Sequence, residues 1–239
     1  MNRIRQTIVE AARAIHVDRR IVEEVIDQLG RDMARKFGPK VSPGYNRNPV
    51  SMQTITLKNV RGEEVAVDVG FTTQASPAGD FALGGGMGYY KQGPKRGQPV
   101  VVINLNGKYP HESFMKGVGR QDVVQVLFHE LTHSVDVGKA TYKAKNKSGL
   151  PSSRDLNLDE YYNDPREVRA FMRELFETIA PSVRKVMDTS LGGQWGLNGT
   201  ISRQLKSLTE WPVMVKYLTS SNRNRILKGL VTMFQDEGL

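Results

Sequence analysis

Val123-Val124-Gln125-Val126-Leu127-Phe128-His129-Glu130-Leu131-Thr132-His133-Ser134-Val135-Asp136 is the stretch on which the reading of this chain turns. Its periodicity is helical: Val124, Phe128, Leu131 and Val135 gather on one face, with Leu127 at the edge, while His129 and His133 fall on the other side. Residues four apart on a helix are turned by about 40° and stand one turn above each other, so both imidazoles can reach one divalent ion. Glu130 stands beside them, where a carboxylate can take a proton from water activated by that ion. The spacing therefore predicts a helix that buries its apolar face and turns its histidines to a cleft. The competing reading is a helix whose two histidines share no ligand. Against it, the chain has only four histidines and two of them form this pair.

Upstream of this helix the pattern is β-rich. Thr54 to Val60 and Glu64 to Val69 alternate and are joined near Arg61-Gly62, which predicts a hairpin. Val100-Val101-Val102-Ile103-Asn104-Leu105 predicts a further strand, either bordering the cleft or central in the sheet. Between them, Gly84-Gly85-Gly86-Met87-Gly88-Tyr89-Tyr90 fits neither a dinucleotide fingerprint nor a phosphate loop, because Tyr89 stands where the last glycine should and no lysine-serine ending follows. It is expected to be a flexible loop, a flap or a place of close backbone approach. Further upstream, Ile4 to Phe37 is helical in period, broken near Val17-Asp18 with Asp18 as N-cap, and stopped by Gly38-Pro39 and Ser42-Pro43-Gly44. His16 reads as a histidine without a role; His111 in Tyr109-Pro110-His111 is a further candidate near the cleft, although a surface loop is expected.

Downstream, Gly138 to Arg154 is polar and lysine-rich and reads as a loop. Asp164-Pro165 then opens a helix, with aspartate at the cap and proline at the first position. Its apolar face runs through Val168, Phe171, Met172, Leu175, Phe176 and Ile179, with Glu167 at the edge. A catalytic zinc needs a third protein ligand and an open fourth position. Glu167 can supply it from a second helix; Glu160, Glu174 and Asp136 are rivals. Asp136, one turn past His133, is better suited to orient a histidine. Asp164-x-x-Glu167 is also a capping-box spacing, which would give Glu167 a purely local role. Pro181 is expected to end or kink this helix and Leu191 to Gly196 to form a loop. Ile201 to Leu230 is helical again, interrupted near Trp211-Pro212 and Ser220-Ser221-Asn222.

Composition narrows the function classes. The absence of cysteine excludes thiolate zinc sites, disulfides and cysteine nucleophiles, and fits a reducing compartment. The formal charge of +9 favours an acidic partner: nucleic acid, an acidic protein surface or an anionic membrane face. Arg223, Arg225 and Lys228 with Trp211 and Tyr217 could touch one, although core aromatics and a solvated face explain them as well. The opening Met1-Asn2-Arg3-Ile4-Arg5-Gln6 leads into an amphipathic pattern, and no apolar run reaches the length of a membrane span. A soluble protein without signal peptide is expected, cytoplasmic or carried within a larger assembly.

His129-Glu130-Leu131-Thr132-His133-Ser134-Val135-Asp136 together with Tyr161-Tyr162 and Glu167-Val168-Arg169-Ala170-Phe171 resembles the gluzincins. Within them it is most similar to the peptidase domain of anthrax lethal factor and the Pro-Pro endopeptidases. The resemblance covers roughly residues 95 to 180 and departs from that pattern at Arg166 and Arg169. It implies His129, His133 and Glu167 as zinc ligands, Glu130 as general base, and Tyr161 or Tyr162 as donor to the oxyanion of a peptide substrate. The expected fold is α+β and zincin-like: a small mixed sheet packed on the H-E-x-x-H helix and a second, glutamate-bearing helix, with helical additions at both ends. The expected organisation is an N-terminal helical segment over 1–44, a catalytic domain over 45–190 and a C-terminal helical segment over 191–239. The expected activity is zinc-dependent endopeptidase. Two alternatives remain open: an assembly protein that keeps the fold with little turnover, and a basic nucleic-acid-associated subunit with a structural zinc.

Overall fold

A computed structural model describes residues 17–59, 62–74, 83–136, 157–208 and 210–239. The expected helix over 4–16, His16 and the lysine-rich stretch from 138 lie outside them. The chain divides into two compact units, one holding the described residues up to 136 and the other those from 157 onward.

The first unit opens with helix α1 (Arg19–Phe37). The Asp18 side chain accepts from the Arg20 amide at 2.8 Å and caps it, as its position before the first apolar residue suggested. Gly38 closes it with φ of 83°, its amide donating to the Ala34 carbonyl. Val22, Val25, Ile26, Leu29 and Met33 make one buried stripe, laid on a four-stranded sheet.

Strands β1 (Asn46–Lys58), β2 (Glu64–Thr73), β3 (Leu83–Tyr89) and β4 (Pro99–Leu105) stand in the order β1-β2-β4-β3. The expected hairpin is present: β1 and β2 are antiparallel, with Ile55 opposite Val67 and Leu57 opposite Val65. Strand β4 runs parallel to β2 and antiparallel to β3, so it is central rather than an edge. Alternation sends Val67, Val69 and Phe71 of β2 and Val101, Ile103 and Leu105 of β4 to one face, where they share a core with α1 and the helix that follows the sheet. The glycine-rich stretch, expected as a loop or flap, is instead the edge strand β3. Glycine carries no side chain to show alternation, and its low strand propensity is offset by pairing along the whole length of β4.

The opposite face of the sheet carries one buried carboxylate. Asp68 is fully buried and accepts from Thr54 Oγ1 at 2.6 Å, Tyr90 Oη at 2.7 Å, Lys95 Nζ at 2.7 Å and Gln98 Nε2 at 2.8 Å. Burial pushes its pKa up, but the hydrogen bonds from Lys95, Thr54 and Tyr90 outweigh that and hold it below the ordinary value. The same contacts, after burial, raise the Tyr90 phenol to about 12. Three of the four donors lie in the 90–98 turn, so this carboxylate ties the β3–β4 hairpin to β2.

A short helix, α2 (Glu112–Met115), leads into α3 (Gly117–Asp136), which bears the two histidines and packs on β3 and β4. His111, expected on the surface, is only 4% exposed. Its ring donates to the Gly38 carbonyl, tying the end of α1 to the start of α2. Its Nδ1 is buried without a hydrogen-bond partner.

The second unit is helical throughout its described residues: α4 (Leu158–Asn163), α5 (Pro165–Met187), α6 (Ser190–Lys206), α7 (Glu210–Tyr217) and α8 (Ser220–Asp236). Pro181 was expected to end or kink α5; it does not end it, and the helix continues to Met187. An internal proline costs about 3 kcal/mol. Ile179, Ala180 and Val183 flank it in the core and supply the compensating burial. Residues 191–196 are likewise helical rather than a loop, and Gly196, with φ of 62°, is where α6 breaks and restarts. Asn163 locks the corner of this bundle. Its amide donates to the Tyr217 carbonyl at 2.8 Å and accepts from the Thr219 amide and from Asn222 Nδ2, both at 2.9 Å. The architecture is α+β with a small mixed sheet, and none of the described helices is long and apolar enough to cross a membrane.

Replacing the buried carboxylate by Asp68→Ala is expected to cost about 3 kcal/mol, because it leaves Lys95, Tyr90 and Gln98 donors without their common acceptor; the midpoint of chemical denaturation measures it. Burial lowers the His111 pKa below its ordinary 6.5, opposed in part by Glu112 and the Gly38 bond. The folded state therefore binds fewer protons than the unfolded state below that pH, and stability falls as pH drops from 6.5. The loss between pH 7 and 5.5 should be smaller in His111→Gln than in wild type.

Candidate metal centre

Helix α3 is buried over its last three turns. Leu127, Phe128, Leu131 and Val135 form the expected apolar face. The other side is also largely withdrawn from water: His129 is 7% and His133 8% exposed, so the histidines are less open than a cleft-facing helix implied. Buried hydroxyls on this helix bond back to its own carbonyls, Thr132 to Phe128 at 2.8 Å and Ser134 to Leu131 at 2.7 Å, leaving no donor from them for the imidazoles.

The two rings are nearly perpendicular, at 79°, with their Nε2 atoms 3.1 Å apart. Tetrahedral zinc holds nitrogen ligands at about 2.0–2.1 Å, which places two of them about 3.3 Å from each other. The observed separation is close to that edge. Two neutral imidazoles sharing one proton would give a similar distance, so the third donor decides between the readings.

Glu167 stands in the first turn of α5. The capping of that turn is done by Asp164, whose carboxylate accepts from the Arg166 amide at 2.8 Å and from its guanidinium at 2.8 and 3.0 Å. Burial raises the Asp164 pKa, but Arg166 more than reverses this and holds it below the ordinary value. In a capping box the Glu167 carboxylate would accept from the Asp164 amide. That amide donates to the Tyr161 carbonyl at 3.2 Å. One ligand atom from each of His129, His133 and Glu167 lies within 4.8 Å of the others, a group placed to hold a metal ion. Its rivals Glu160 and Glu174 are outside this group. Asp136 is the last residue of α3, and its side chain lies outside the described residues.

The two tyrosines are placed in an aromatic cluster. Tyr162 stacks on Phe171 and on Tyr217, with ring centroids at 5.3 and 5.6 Å, while Tyr161 meets Phe171 edge-on at 5.9 Å. Burial, then Tyr217 and Glu174, push the Tyr162 phenol up, so it stays protonated and able to donate at neutral pH. Trp211 is buried in the core of the second unit and Tyr217 stacks on Tyr162, so both aromatics serve packing.

Sequence reasoning missed the neighbour of Glu130. Gly85 of β3 crosses α3 so closely that a Cβ there would stand 2.9 Å from Glu130 Cγ and 3.0 Å from its Oε1. The only signal was the glycine cluster itself, read as a close approach without a partner.

Comparison of the chain with protein families, with curated proteins and with solved structures found no match.

The donor set leads to a direct expectation. Zinc added to metal-free protein should bind one per chain and raise the thermal midpoint, by an amount equivalent to about 4 kcal/mol at a thousandfold excess over Kd. His129→Ala or His133→Ala should abolish the shift. Glu167→Ala should weaken binding by more than about 100-fold, the most that losing a group outside the coordination sphere costs. Calorimetric titration of the variants reads all three.

Proposed function

We propose that this chain is a zinc-dependent endopeptidase of the gluzincin type. The observation that carries the reading is the convergence of His129, His133 and Glu167 donors within 4.8 Å. Two imidazole nitrogens and one carboxylate oxygen suit zinc better than magnesium or calcium, which prefer oxygen throughout. Three protein donors are the count of a catalytic site, whereas a structural zinc takes four. The likeness of the two motif segments to the gluzincins supports the same choice.

A bound zinc would supply Lewis acidity, making water nucleophilic near neutral pH and polarising the scissile carbonyl. The chain's own residues do the rest. Glu130, beside the ligand pair on α3, accepts the proton of the attacking water and passes it to the leaving amine. His129 and His133 must be neutral to serve as ligands. Glu167 stands in the first turn of α5, where the helix dipole favours negative charge. A protonated phenol, from Tyr161 or Tyr162, donates to the oxyanion as it develops.

Glu130→Gln keeps the size of the side chain and removes its basicity. It should retain one zinc per chain while cleavage of a random peptide library falls by about 10²- to 10⁴-fold, the range for a general base. Zinc retained with identical cleavage profiles in the two proteins would reject the peptidase reading and leave an assembly role.

A further inference from the structure

Strand β3 has glycine at four of its seven positions, Gly84, Gly85, Gly86 and Gly88. None of them has a positive φ, so backbone conformation does not explain them. Space does, and at only one position. A Cβ at Gly84 or Gly86 would meet nothing within 4 Å, and at Gly88 only an ordinary contact at 3.9 Å. A Cβ at Gly85 would stand 2.5 Å from Val126 Cγ1, 2.9 Å from Glu130 Cγ and 3.0 Å from Glu130 Oε1. Separations under 3 Å between such atoms force a displacement.

The question is which side gives way. The strand cannot back off cheaply. Gly85 is paired with Ile103 in the β3–β4 ladder, and the turn after β3 is fastened to buried Asp68 through Tyr90, Lys95 and Gln98. Helix α3 is equally fixed, since Leu127, Phe128 and Leu131 sit fully buried in the core under the sheet. Val126 packs against the same core and has one rotatable side-chain bond. The most mobile atoms in the contact are those of the Glu130 carboxylate arm.

We propose that Gly85 is a positioning residue for Glu130: the missing side chain leaves the volume in which the base's methylene and carboxylate stand, and the strand backbone bars them from turning toward the sheet. This rests on the peptidase reading for the role of Glu130. The contact between Gly85 and Glu130 does not depend on it. A methyl group at 85 moves the carboxylate by about an ångström, enough to cost about 100-fold in rate for a group that must act at a fixed place.

The experiment uses the full chain with zinc replaced by cobalt(II), whose visible absorption reports the coordination sphere and the groups hydrogen-bonded to it. Five proteins are compared with wild type: Gly85→Ala, Gly84→Ala, Gly86→Ala, Gly85→Ala/Val126→Ala and Glu130→Ala. Gly85→Ala should bind one cobalt and shift the visible band in the direction that Glu130→Ala shifts it, while Gly84→Ala and Gly86→Ala keep the wild-type band. On the best peptide from the library, zinc-loaded Gly85→Ala should lose about 100-fold in kcat with KM little changed. Adding Val126→Ala should restore the thermal midpoint, by relieving the apolar clash, but neither the band nor kcat. A wild-type band in Gly85→Ala overturns the inference, as does a loss confined to KM or a kcat recovered by Val126→Ala. A shifted band in a protein whose wild type cleaves no peptide upholds the coupling of Gly85 to Glu130 and sinks the peptidase reading. Failure to bind cobalt sinks both.

Discussion

Two imidazole rings withdrawn from water on successive turns of α3, with facing nitrogens 3.1 Å apart, set the condition that the rest of this structure has to meet. Two ring nitrogens that face each other at this distance hold either a proton or a cation between them. The neighbouring hydroxyls of Thr132 and Ser134 are spent on helix carbonyls and cannot help. Glu167, in the first turn of α5, completes with the two imidazoles a group of three ligand atoms within 4.8 Å of one another that could hold a metal ion.

Holding α3 still is the work of the sheet. The side of β2 and β4 that faces the helices is a run of valines, isoleucine, leucine and phenylalanine against which Leu127, Phe128 and Leu131 are fully buried. The other side carries Asp68, a charge taken wholly out of water. Such a charge is tolerated because four donors surround it, one of them a lysine. It pins the turn that returns from β3 to β4.

In the second unit the chain solves a different problem. Its helices bury Val168, Phe171, Met172, Leu175 and Phe176 of α5 against Ile226, Leu230 and Phe234 of α8, and the corner between them is held by the Asn163 hydrogen bonds. Asp164 follows at once, capping α5 and gripping Arg166 in a bidentate pair. These two residues set the start of α5, and with it the turn that bears Glu167. Tyr161 and Tyr162, immediately before, are fixed by Phe171 and Tyr217 rather than left on a mobile loop.

Local rules were enough for much of this. The hairpin, strand β4, the Asp18 and Asp164 caps, the helix bearing His129 and His133, and the mixed α+β class all follow from side-chain periodicity and turn chemistry, which act over a few residues. Where side chains are absent the rules had nothing to read. Gly84 to Tyr90 looked like a loop because glycine shows no alternation, and only pairing with β4 makes it a strand. Pro181 and Gly196 carried strong local signals, yet α5 runs on past the proline to Met187 and the glycine marks only a single break in α6. His111 looked like a surface histidine until the end of α1 was brought over it. Sequence alone determined that two imidazoles and a neighbouring carboxylate occupy one turn of helix. That Glu167, rather than Glu160 or Glu174, has a ligand atom within 4.8 Å of those of the imidazoles, and that Gly85 makes room for Glu130, were decided by tertiary structure, because both depend on distances between segments that no spacing along the chain encodes.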